Sequence, residues 1–287
     1  MSAGHPAAPD DGAALRVGFI GLGSQGGPMA RRIAEAGFRT RLWARRPETL
    51  APFADLGVEA AGSPAELGSA SDVVCVCVVD DAGVDEVVDG PHGILRGMQP
   101  GGVVVVHSTV HPDTCRRLGE RAAQRGVALL DAPVSGGGQA AAAGSLMVMA
   151  AGDERTLARC RPVLDTCAAH VLHLGPIGAG QIAKILNNTL LAANLAVAHS
   201  AYDAARALGL DPGNLALVLA GSSGASLAAT AVLPGSMFDL GVLGKHAGAL
   251  LHKDVGLFAE LMRATDARPG TVMEIADRAL AGLGHPR

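Results

Sequence analysis

The feature that most constrains the fold is an alternation of short apolar runs with amphipathic segments between Arg16 and Gly175. The runs are RVGFIGLG, TRLWAR, DVVCVCVV, GGVVVVHST, VALLDAPV, SLMVMAAG and HVLHLG. Segments with helical patterns, such as GPMARRIAEAG and PDTCRRLGERAAQRG, lie between several of them. Continuous apolar strands joined by helices are typical of a mostly parallel sheet with helices on both faces. This part of the chain is therefore predicted to be a doubly wound α/β domain.

The pattern changes after Gly175 and Pro176. From there the sequence has no valine-rich run, and its helical patterns are interrupted by DPGN (211–214), LPGS (233–236) and ARPG (267–270). We predict three parts, namely a disordered tail over 1–14, an α/β domain over 15–176 and an all-helical domain over 177–287. The tail lacks a basic start followed by an apolar core, so it is not expected to be a secretory signal.

Composition argues against several classes of protein. The 287 residues carry a net charge of −4, and basic residues cluster only in short arginine pairs, so nucleic-acid binding is not expected. No apolar run reaches the ~18 residues of a membrane span. The five cysteines are scattered without a C-x-x-C pair, which predicts buried free thiols and a reducing cytoplasm. His170 and His173 have no acidic partner at ligand spacing, so no metal site is predicted.

A glycine-rich motif follows the first predicted strand. GLGSQG matches G-x-G-x-x-G, and it opens a predicted helix in the first strand–helix–strand unit. In Rossmann-type dinucleotide-binding domains the first glycine allows a tight turn, the second lets a pyrophosphate approach the backbone, and the third permits close packing of helix on strand. A glycine turn without a ligand is the alternative. The predicted cofactor-binding residues here are Gly21, Leu22, Gly23, Ser24, Gln25 and Gly26.

The end of the second strand indicates which dinucleotide binds. NAD-binding sheets usually carry an acidic residue there, which holds the ribose 2′-hydroxyl. This chain has Ala44, Arg45 and Arg46, and its first acid, Glu48, lies beyond Pro47. Guanidinium groups pair with a 2′-phosphate that a carboxylate would repel. We therefore predict NADP, with NAD still possible, and the alternative is a pair of solvated surface arginines.

A single lysine stands in the apolar stretch GAGQIAKILNN (178–188). Helical spacing places Gln181, Lys184, Asn187 and Asn188 in one polar patch. The remaining residues are mainly isoleucine, leucine and alanine, which predicts a buried helix. Desolvation would lower the pKa of Lys184, so that it could exchange a proton with a substrate oxygen. The alternative is a lysine that extends to solvent from the start of the helix.

The stretch DAPVSGGGQAAAAGSL (131–146) follows another predicted strand. Ser135 and the three glycines after it would present a hydroxyl and backbone N–H groups, which suit a carboxylate. The alternative is a flexible connection.

Five stretches of the sequence together resemble the β-hydroxyacid dehydrogenases. GLGSQGGPMA, STVHPDT, DAPVSGGG, GAGQIAKILNN and HKDVGLFAE occur in that family's order and spacing, over about residues 16 to 280. The family includes 3-hydroxyisobutyrate dehydrogenase and tartronate semialdehyde reductase, with 6-phosphogluconate dehydrogenase as a distant relative. The resemblance implies a Rossmann-type domain followed by an all-helical domain.

The resemblance also implies roles for individual residues. Lys184 would be the catalytic acid and base, with Asn188 holding the substrate beside it. Ser135, Gly136 and Gly137 would hold the substrate carboxylate, and Ser135 and Asn188 count with Lys184 as catalytic residues. Further cofactor contacts would come from Val78, from Thr109 near the nicotinamide ribose, and from Lys253, which with Asp254 would belong to the part of the site in the helical domain.

Three positions depart from the family pattern. Gln25 stands where methionine is common, His107 where an aspartate often precedes the Ser-Thr pair, and Ala44 where asparagine is common. None of them removes a proposed catalytic residue. We therefore expect a divergent member whose substrate need not be hydroxyisobutyrate.

The leading functional prediction is a dehydrogenase or reductase of a small 3-hydroxy or 2-hydroxy-3-oxo carboxylic acid. An imine reductase is the first alternative, although such enzymes usually have aspartate or tyrosine where Lys184 stands. A catalytically silent NADP-binding protein is the second, and the joint presence of Lys184, Asn188 and Ser135 argues against it. The long apolar helix from Gln181 to Leu208 predicts a homodimer or homotetramer formed through the helical domain.

Overall fold

The computed structural model describes residues 15–231 and 240–287. The predicted tail over 1–14 and the LPGS turn over 233–236 lie outside the described residues. Within the described part, the chain forms two compact units. The α/β unit comprises the residues up to Ser108 and Asp113–Ala179, and the helical unit comprises Thr109–Pro112 and Gly180–Arg287. The tetrapeptide Thr109–Pro112 thus belongs with the helical unit, although a strand of the α/β unit leads into it.

The α/β unit is built on a parallel sheet with the strand order β3-β2-β1-β4-β5-β6. Its strands are β1 (Arg16–Ile20), β2 (Arg39–Trp43), β3 (Glu59–Ala60), β4 (Val73–Val76), β5 (Val103–Val106) and β6 (Ala128–Asp131). The helices along it are α1 (Gly26–Glu35), α2 (Pro64–Ser69), α3 (Asp81–Asp89) and α4 (Pro112–Ala123). This architecture confirms the predicted fold class. β4 and β5 are buried throughout, as expected for a sheet covered on both faces.

The strand register places the ends of three strands side by side. Ile20, the last residue of β1, pairs with Trp43 of β2 on one side and with Val76 of β4 on the other. The chain leaves β1 toward β2 and later returns to β4 on the opposite side. In sheets of this kind, ligands bind in the crevice outside the carboxyl ends of the strands at such a switch point.

A second, smaller sheet follows in the same unit. It contains β7 (Val134–Ser135), β8 (Leu146–Ala150) and β9 (Ala168–His173), with β7 antiparallel and β9 parallel to β8. Two further helices, α5 (Gly137–Ala143) and α6 (Glu154–Leu164), connect these strands. The run VALLDAPV, predicted as one strand, is therefore divided between the two sheets. Pro133 lies at the division and has no N–H to donate to a ladder.

The helical unit has a hydrophobic core of its own, which includes Ile185, Leu195, Val255 and Leu280. Its helices are α7 (Ala179–Ala207), α8 (Pro212–Ala220), α9 (Leu227–Ala231), α10 (Leu240–Ala264) and α11 (Gly270–Gly282). No strand occurs in the part of this unit that the structure describes. Over residues 15–231 and 240–287, no helix is both long and apolar enough to cross a membrane.

The expectation that α7 is buried apart from its polar patch was wrong. Its inner face packs in the core through residues such as Ile185 and Leu195, whereas Ile182, Leu186, Leu190 and Val197 are exposed. One side of α7 is therefore buried and the other carries exposed apolar side chains. Spacings of three and four residues bring side chains to one helical face, so the exposed residues form an apolar stripe.

All five cysteines are free thiols, which confirms that part of the prediction. Cys75, Cys115, Cys160 and Cys167 are buried, and Cys77 is partly buried. Burial raises the pKa of the Cys160 thiol to about 12 and that of Cys167 to about 11, so the thiols stay protonated at neutral pH. Among the described residues, no group of three or more His, Cys, Asp or Glu side chains is arranged to hold a metal ion.

Candidate active site

The phosphate loop between β1 and α1 requires glycine for two different reasons. Gly21 has a φ of 97°, and a Cβ there would collide with the Cys77 carbonyl oxygen. A Cβ on Gly26, where α1 begins, would collide with the Gly21 carbonyl oxygen and press on Phe19. The turn and the close packing of α1 on the sheet therefore both depend on a bare backbone.

The same loop leaves space where a dinucleotide phosphate would bind. A Cβ on Gly23 would have no atom within 4 Å. The first turn of α1 contains no acidic residue, so its N-terminus has no local carboxylate to compete with an anion. The Gly27 N–H donates to the Gly23 carbonyl oxygen at 2.8 Å, which holds the loop against the helix. These residues fit a pyrophosphate group.

The ends of β4 and β5 are joined beside this loop. The Val78 N–H donates to Ser108 Oγ at 2.8 Å. Cys77, the residue before Val78, supplies the carbonyl group that packs under Gly21. Val78 is thus held close to the phosphate loop, within the same unit.

Both arginines after β2 are exposed and lie near carboxylates. Arg45 Nη2 is 3.0 Å from Glu86 Oε2 on α3, and Arg46 Nε is 4.0 Å from Glu48 Oε1. Ion pairs between solvated side chains contribute only about 0–1 kcal/mol, so neither pair prevents a guanidinium from binding a stronger anion. Ala44 contributes no carboxylate at this strand end.

The loop after β7 is also shaped by its glycines. Gly136 and Gly137 have φ values of 126° and 70°, which a residue with a side chain rarely adopts. Ser135 ends β7, and α5 begins at Gly137. A turn with positive φ at two successive glycines therefore follows Ser135 directly.

The Ser135 loop contacts the phosphate loop, a contact that the sequence did not predict. A Cβ on Gly138 would collide with the Ser24 carbonyl oxygen, so glycine allows the two backbones to approach closely. Gln25 Nε2 lies 3.5 Å from the Gly137 carbonyl oxygen, at the limit of a hydrogen bond. The residues predicted for cofactor and for carboxylate are thus neighbours within the α/β unit.

His107, at the end of β5, is a buried neutral imidazole. Its Nδ1 lies 2.8 Å from the Ala132 carbonyl oxygen, and its ring stacks on Phe19 with centroids 6.3 Å apart. Burial lowers the pKa of His107 to about 4, against a smaller opposing effect of the Ala132 hydrogen bond. Because a carbonyl oxygen only accepts, Nδ1 carries the proton, and Nε2 has no hydrogen-bond partner among the residues that the structure describes. His107, which stands where the family often has an aspartate, is therefore uncharged near neutral pH.

In the helical unit, two lysines and an aspartate lie close to Asn188. Asn188 Nδ2 donates to Asp254 Oδ2 at 2.6 Å, and Asp254 is only 5% exposed. Lys253 Nζ forms an ion pair with Asp254 Oδ1 at 2.9 Å, and it donates to the Thr109 carbonyl oxygen. Residues from α7, α10 and the Thr109–Pro112 loop thus form one polar cluster.

Lys184 is half-buried beside this cluster, and its pKa is lowered from the ordinary value. The main cause is burial, which disfavours the ammonium form. Asp254 acts in the opposite direction by raising the pKa, and the positive charge of Lys253 lowers it further. The pKa of Lys184 is therefore shifted in the direction that the sequence predicted, toward the neutral amine.

The residues of the polar patch predicted on α7 differ in exposure and in hydrogen-bond partner. Gln181 is fully buried and accepts the Val110 N–H at 3.1 Å, whereas Asn187 is exposed and donates to Asn188 Oδ1 at 3.0 Å. Helical spacing correctly placed Lys184 and Asn188 together but could not identify Asp254, which is 66 residues away from Asn188. The motif HKDVGLFAE was the only signal for that residue.

Comparison with known protein families covers nearly the whole chain. Residues 16–175 match the family described as the NAD binding domain of 6-phosphogluconate dehydrogenase. Residues 178–285 match the family described as NAD-binding of NADP-dependent 3-hydroxyisobutyrate dehydrogenase.

Individual proteins are similar over most of their length. The 3-hydroxyisobutyrate dehydrogenase of Pseudomonas aeruginosa is 34% identical over 257 residues, which cover 88% of this chain and 86% of that protein. The L-threonate dehydrogenase of Cupriavidus necator is 39% identical over 211 residues, which cover 73% and 71%. A solved structure of Mycobacterium tuberculosis 3-hydroxyisobutyrate dehydrogenase with L-serine has a TM-score of 0.83 at 31% identity and covers 93% of each chain.

Proposed function

The chain belongs to the β-hydroxyacid dehydrogenase family, and from that premise we propose that it is an NADP(H)-dependent oxidoreductase of a small 3-hydroxy or 2-hydroxy-3-oxo carboxylic acid. Its named relatives are NAD(P)-dependent dehydrogenases that act on CH–OH groups of hydroxy acids. The observation that carries the finer proposal is the half-buried Lys184, with its lowered pKa, beside Asn188 and Asp254.

Lys184 would be the general acid and base. Oxidation of an alcohol removes a hydride from carbon and a proton from oxygen, and the bound nicotinamide supplies the hydride chemistry. With a lowered pKa, Lys184 reaches its neutral form at lower pH than an ordinary lysine and accepts the hydroxyl proton at Nζ. In the reverse direction its ammonium form returns that proton to the carbonyl oxygen.

Asn188 would orient the substrate hydroxyl for this transfer. One hydrogen of Nδ2 is donated to Asp254, and Oδ1 accepts from Asn187, so the amide is held at both ends. Nδ2 carries a second hydrogen that can be donated to the substrate oxygen. Fixing a reacting group in this way lowers the entropy cost of reaching the reactive geometry.

Ser135, Gly136 and Gly137 would bind the substrate carboxylate. The left-handed turn at the two glycines and the Ser135 hydroxyl support this role. The relatives support it as well, because 3-hydroxyisobutyrate and L-serine both have a carboxylate, one intervening carbon and a CH₂OH group. A molecule of this size and charge is the substrate class that we propose.

The α/β unit would provide most of the cofactor contacts. Gly21 to Gly26 would bind the pyrophosphate, Arg45 and Arg46 the 2′-phosphate, and Val78 would add a further contact. Thr109, which groups with the helical unit, would lie near the nicotinamide ribose. The shape of the phosphate loop and the exposed guanidinium groups support this assignment. NADP is therefore the proposed cofactor, and NAD is the competing outcome.

We also propose an oligomeric state and a cellular compartment for this protein. The exposed apolar stripe on α7 supports a homodimer or homotetramer formed through the helical unit. Five free cysteines support a reducing compartment, and we propose the cytoplasm.

The test is the Lys184→Ala variant, assayed with a panel of small hydroxy acids, the matching aldehyde acids, their amides and cyclic imines. We expect turnover of the preferred acid to fall at least ~100-fold while NADPH binding is retained, since loss of a general acid or base has that effect. The wild type should prefer each acid to its uncharged amide. Retained turnover in the variant would contradict the lysine mechanism, and equal reaction of amides or preferred reaction of imines would favour imine reduction.

A further inference from the structure

The tetrapeptide Thr109–Pro112 connects β5 to α4 but groups with the helical unit. Two side chains of that unit bind its backbone. Lys253 on α10 donates from Nζ to the Thr109 carbonyl oxygen, and Gln181 on α7 accepts the Val110 N–H at 3.1 Å. Two adjacent backbone groups of one loop are therefore bound by different helices.

Gln181 is suited to a fixed contact. The residue has 0% exposure, and an N–H donor can be satisfied only by the oxygen of its amide, which determines the amide orientation. Val110 is also 0% exposed, so its N–H would be buried without an acceptor if Gln181 were replaced by an apolar residue. A buried, unsatisfied N–H is unfavourable, and the loop would have to move to expose it.

The position of Gln181 on α7 links this contact to the proton-transfer residue. Lys184 lies three residues further along the same helix, and Lys253, which binds Thr109, also lowers the pKa of Lys184. A displacement of the loop would therefore change the position of Thr109 relative to Lys184 within one unit.

We propose that Gln181 is a positioning residue which, together with Lys253, holds Thr109–Pro112 against α7 and α10 and so keeps Thr109 in register with Lys184. The effect on turnover rests on the proposed function, in which Thr109 contacts the nicotinamide end of the cofactor. The contact itself does not rest on it. This arrangement also gives Lys253 a role through Thr109.

The test compares Gln181→Met, which keeps length but removes the acceptor, with Gln181→Glu, which keeps an acceptor oxygen. Gln124→Met is the matched control, because it makes the same change at an exposed position in the turn after α4. Amide hydrogen exchange across the full chain, without substrate, should show the Val110 N–H exchanging on the order of tenfold faster in Gln181→Met. Amides elsewhere in α7 and the melting temperature should change little, and Gln181→Glu should restore most of the protection of Val110.

Turnover provides the second measurement. In Gln181→Met we expect kcat to fall about tenfold or more with the Kd for NADPH within a factor of about three, because misplacement affects the reacting geometry more than binding.

Unchanged Val110 exchange would overturn the contact, and uniform loosening of the helical unit would overturn selective positioning. If Gln181→Met does not fold, protection of Val110 in Gln181→Glu supports the proposal and its loss overturns it. Faster exchange with unchanged kcat would overturn the positioning role, whereas a wild type inactive on every hydroxy acid would refute the proposed function but not the contact.

Discussion

Three features of the folded protein determine the pKa of Lys184, namely its burial and the charges of Lys253 and Asp254. Burial lowers its pKa, Lys253 lowers it further, and Asp254 raises it. Lys253 and Asp254 also form an ion pair, so a change at either one alters the effect of the other on Lys184. Substitution of the two residues should therefore shift the pKa of Lys184 in opposite directions.

We predict opposite movements of the pH profile for hydroxy-acid oxidation. The rate should rise with pH as Lys184 loses its proton, since in the proposed mechanism the neutral amine is the base. Lys253→Met removes a positive charge and should move this rise to higher pH. Asp254→Asn removes a negative charge and should move it to lower pH. The measurement is kcat/KM against pH for wild type and both variants, and two unshifted profiles would mean that another group titrates.

His107 should make stability depend on pH. The folded protein holds the imidazole neutral, with a pKa of about 4, while the unfolded chain protonates near 6.5. The unfolded state therefore binds more protons between these values. The part of the unfolding free energy that is linked to His107 is fully present above about pH 6.5 and is lost as pH falls toward 4. A difference of this size corresponds to roughly 3 kcal/mol.

The check is urea unfolding between pH 4 and 7 in His107→Asn, whose amide can still donate to Ala132 but does not titrate. This variant should lose less stability on acidification than the wild type does. His92→Gln, an exposed histidine, is the matched control and should behave like the wild type. The same acid sensitivity in His107→Asn would show that the loss comes from other groups.

At the scale of elements, the end of β2 and the start of the following segment carry the two arginines that we propose select the cofactor. Arg45 pairs with Glu86 of α3 in an exposed ion pair, and Arg46 is similarly exposed. A phosphate dianion interacts more strongly with a guanidinium than a solvated carboxylate does. We therefore expect the 2′-phosphate to replace Glu86 as the partner of Arg45.

We predict that Arg45→Ala weakens NADPH binding about tenfold or more and leaves NADH binding nearly unchanged. A charge-assisted hydrogen bond contributes about 1.5–3 kcal/mol, and about 1.4 kcal/mol is a factor of ten. Glu86→Gln should not weaken NADPH binding. Arg39→Ala is the control, because Arg39 is an exposed arginine at the opposite end of β2. Both cofactors are titrated against each variant, and a wild type that binds NADH as tightly as NADPH would contradict the assignment.

At the scale of the whole molecule, the apolar stripe on α7 bears on assembly. Leu186 and Leu190 are 49% and 53% exposed on a helix whose other face packs in the core of the helical unit. Contiguous exposed apolar surface of this kind commonly marks an interface.

We predict that the wild type is a dimer or tetramer and that Leu186→Asp combined with Leu190→Asp lowers its oligomeric order. Charged residues placed in an apolar interface would lose hydration without gaining partners. Leu217→Asp on α8, also exposed, is the control and should not change assembly. Light scattering coupled to size-exclusion chromatography measures the mass, and a monomeric wild type at micromolar concentration would contradict the prediction.

Much of the architecture could be predicted because short local sequence patterns specify it. The apolar runs gave the strands of the parallel sheet, and GLGSQG correctly indicated the turn between β1 and α1. The exposure of one face of α7 could not be predicted, because leucine and alanine occur on all sides of the helix and only its neighbours decide which side is covered. The division of VALLDAPV between two sheets had one local signal, Pro133, whose importance became clear only from the strand pairing.

The sequence by itself determined the fold class, the family and the chemical types of the candidate site residues, since periodicity and short motifs are properties of neighbouring residues. Only the tertiary structure decided which of these residues meet. Gln181 with Val110, Lys253 with Thr109 and Asn188 with Asp254 are contacts across 71, 144 and 66 residues. Such pairs depend on how α7 and α10 pack around the loop after β5, and no local pattern encodes that packing. The pKa of Lys184 follows from the same packing, because burial and the distance to other charges exist only in the folded chain.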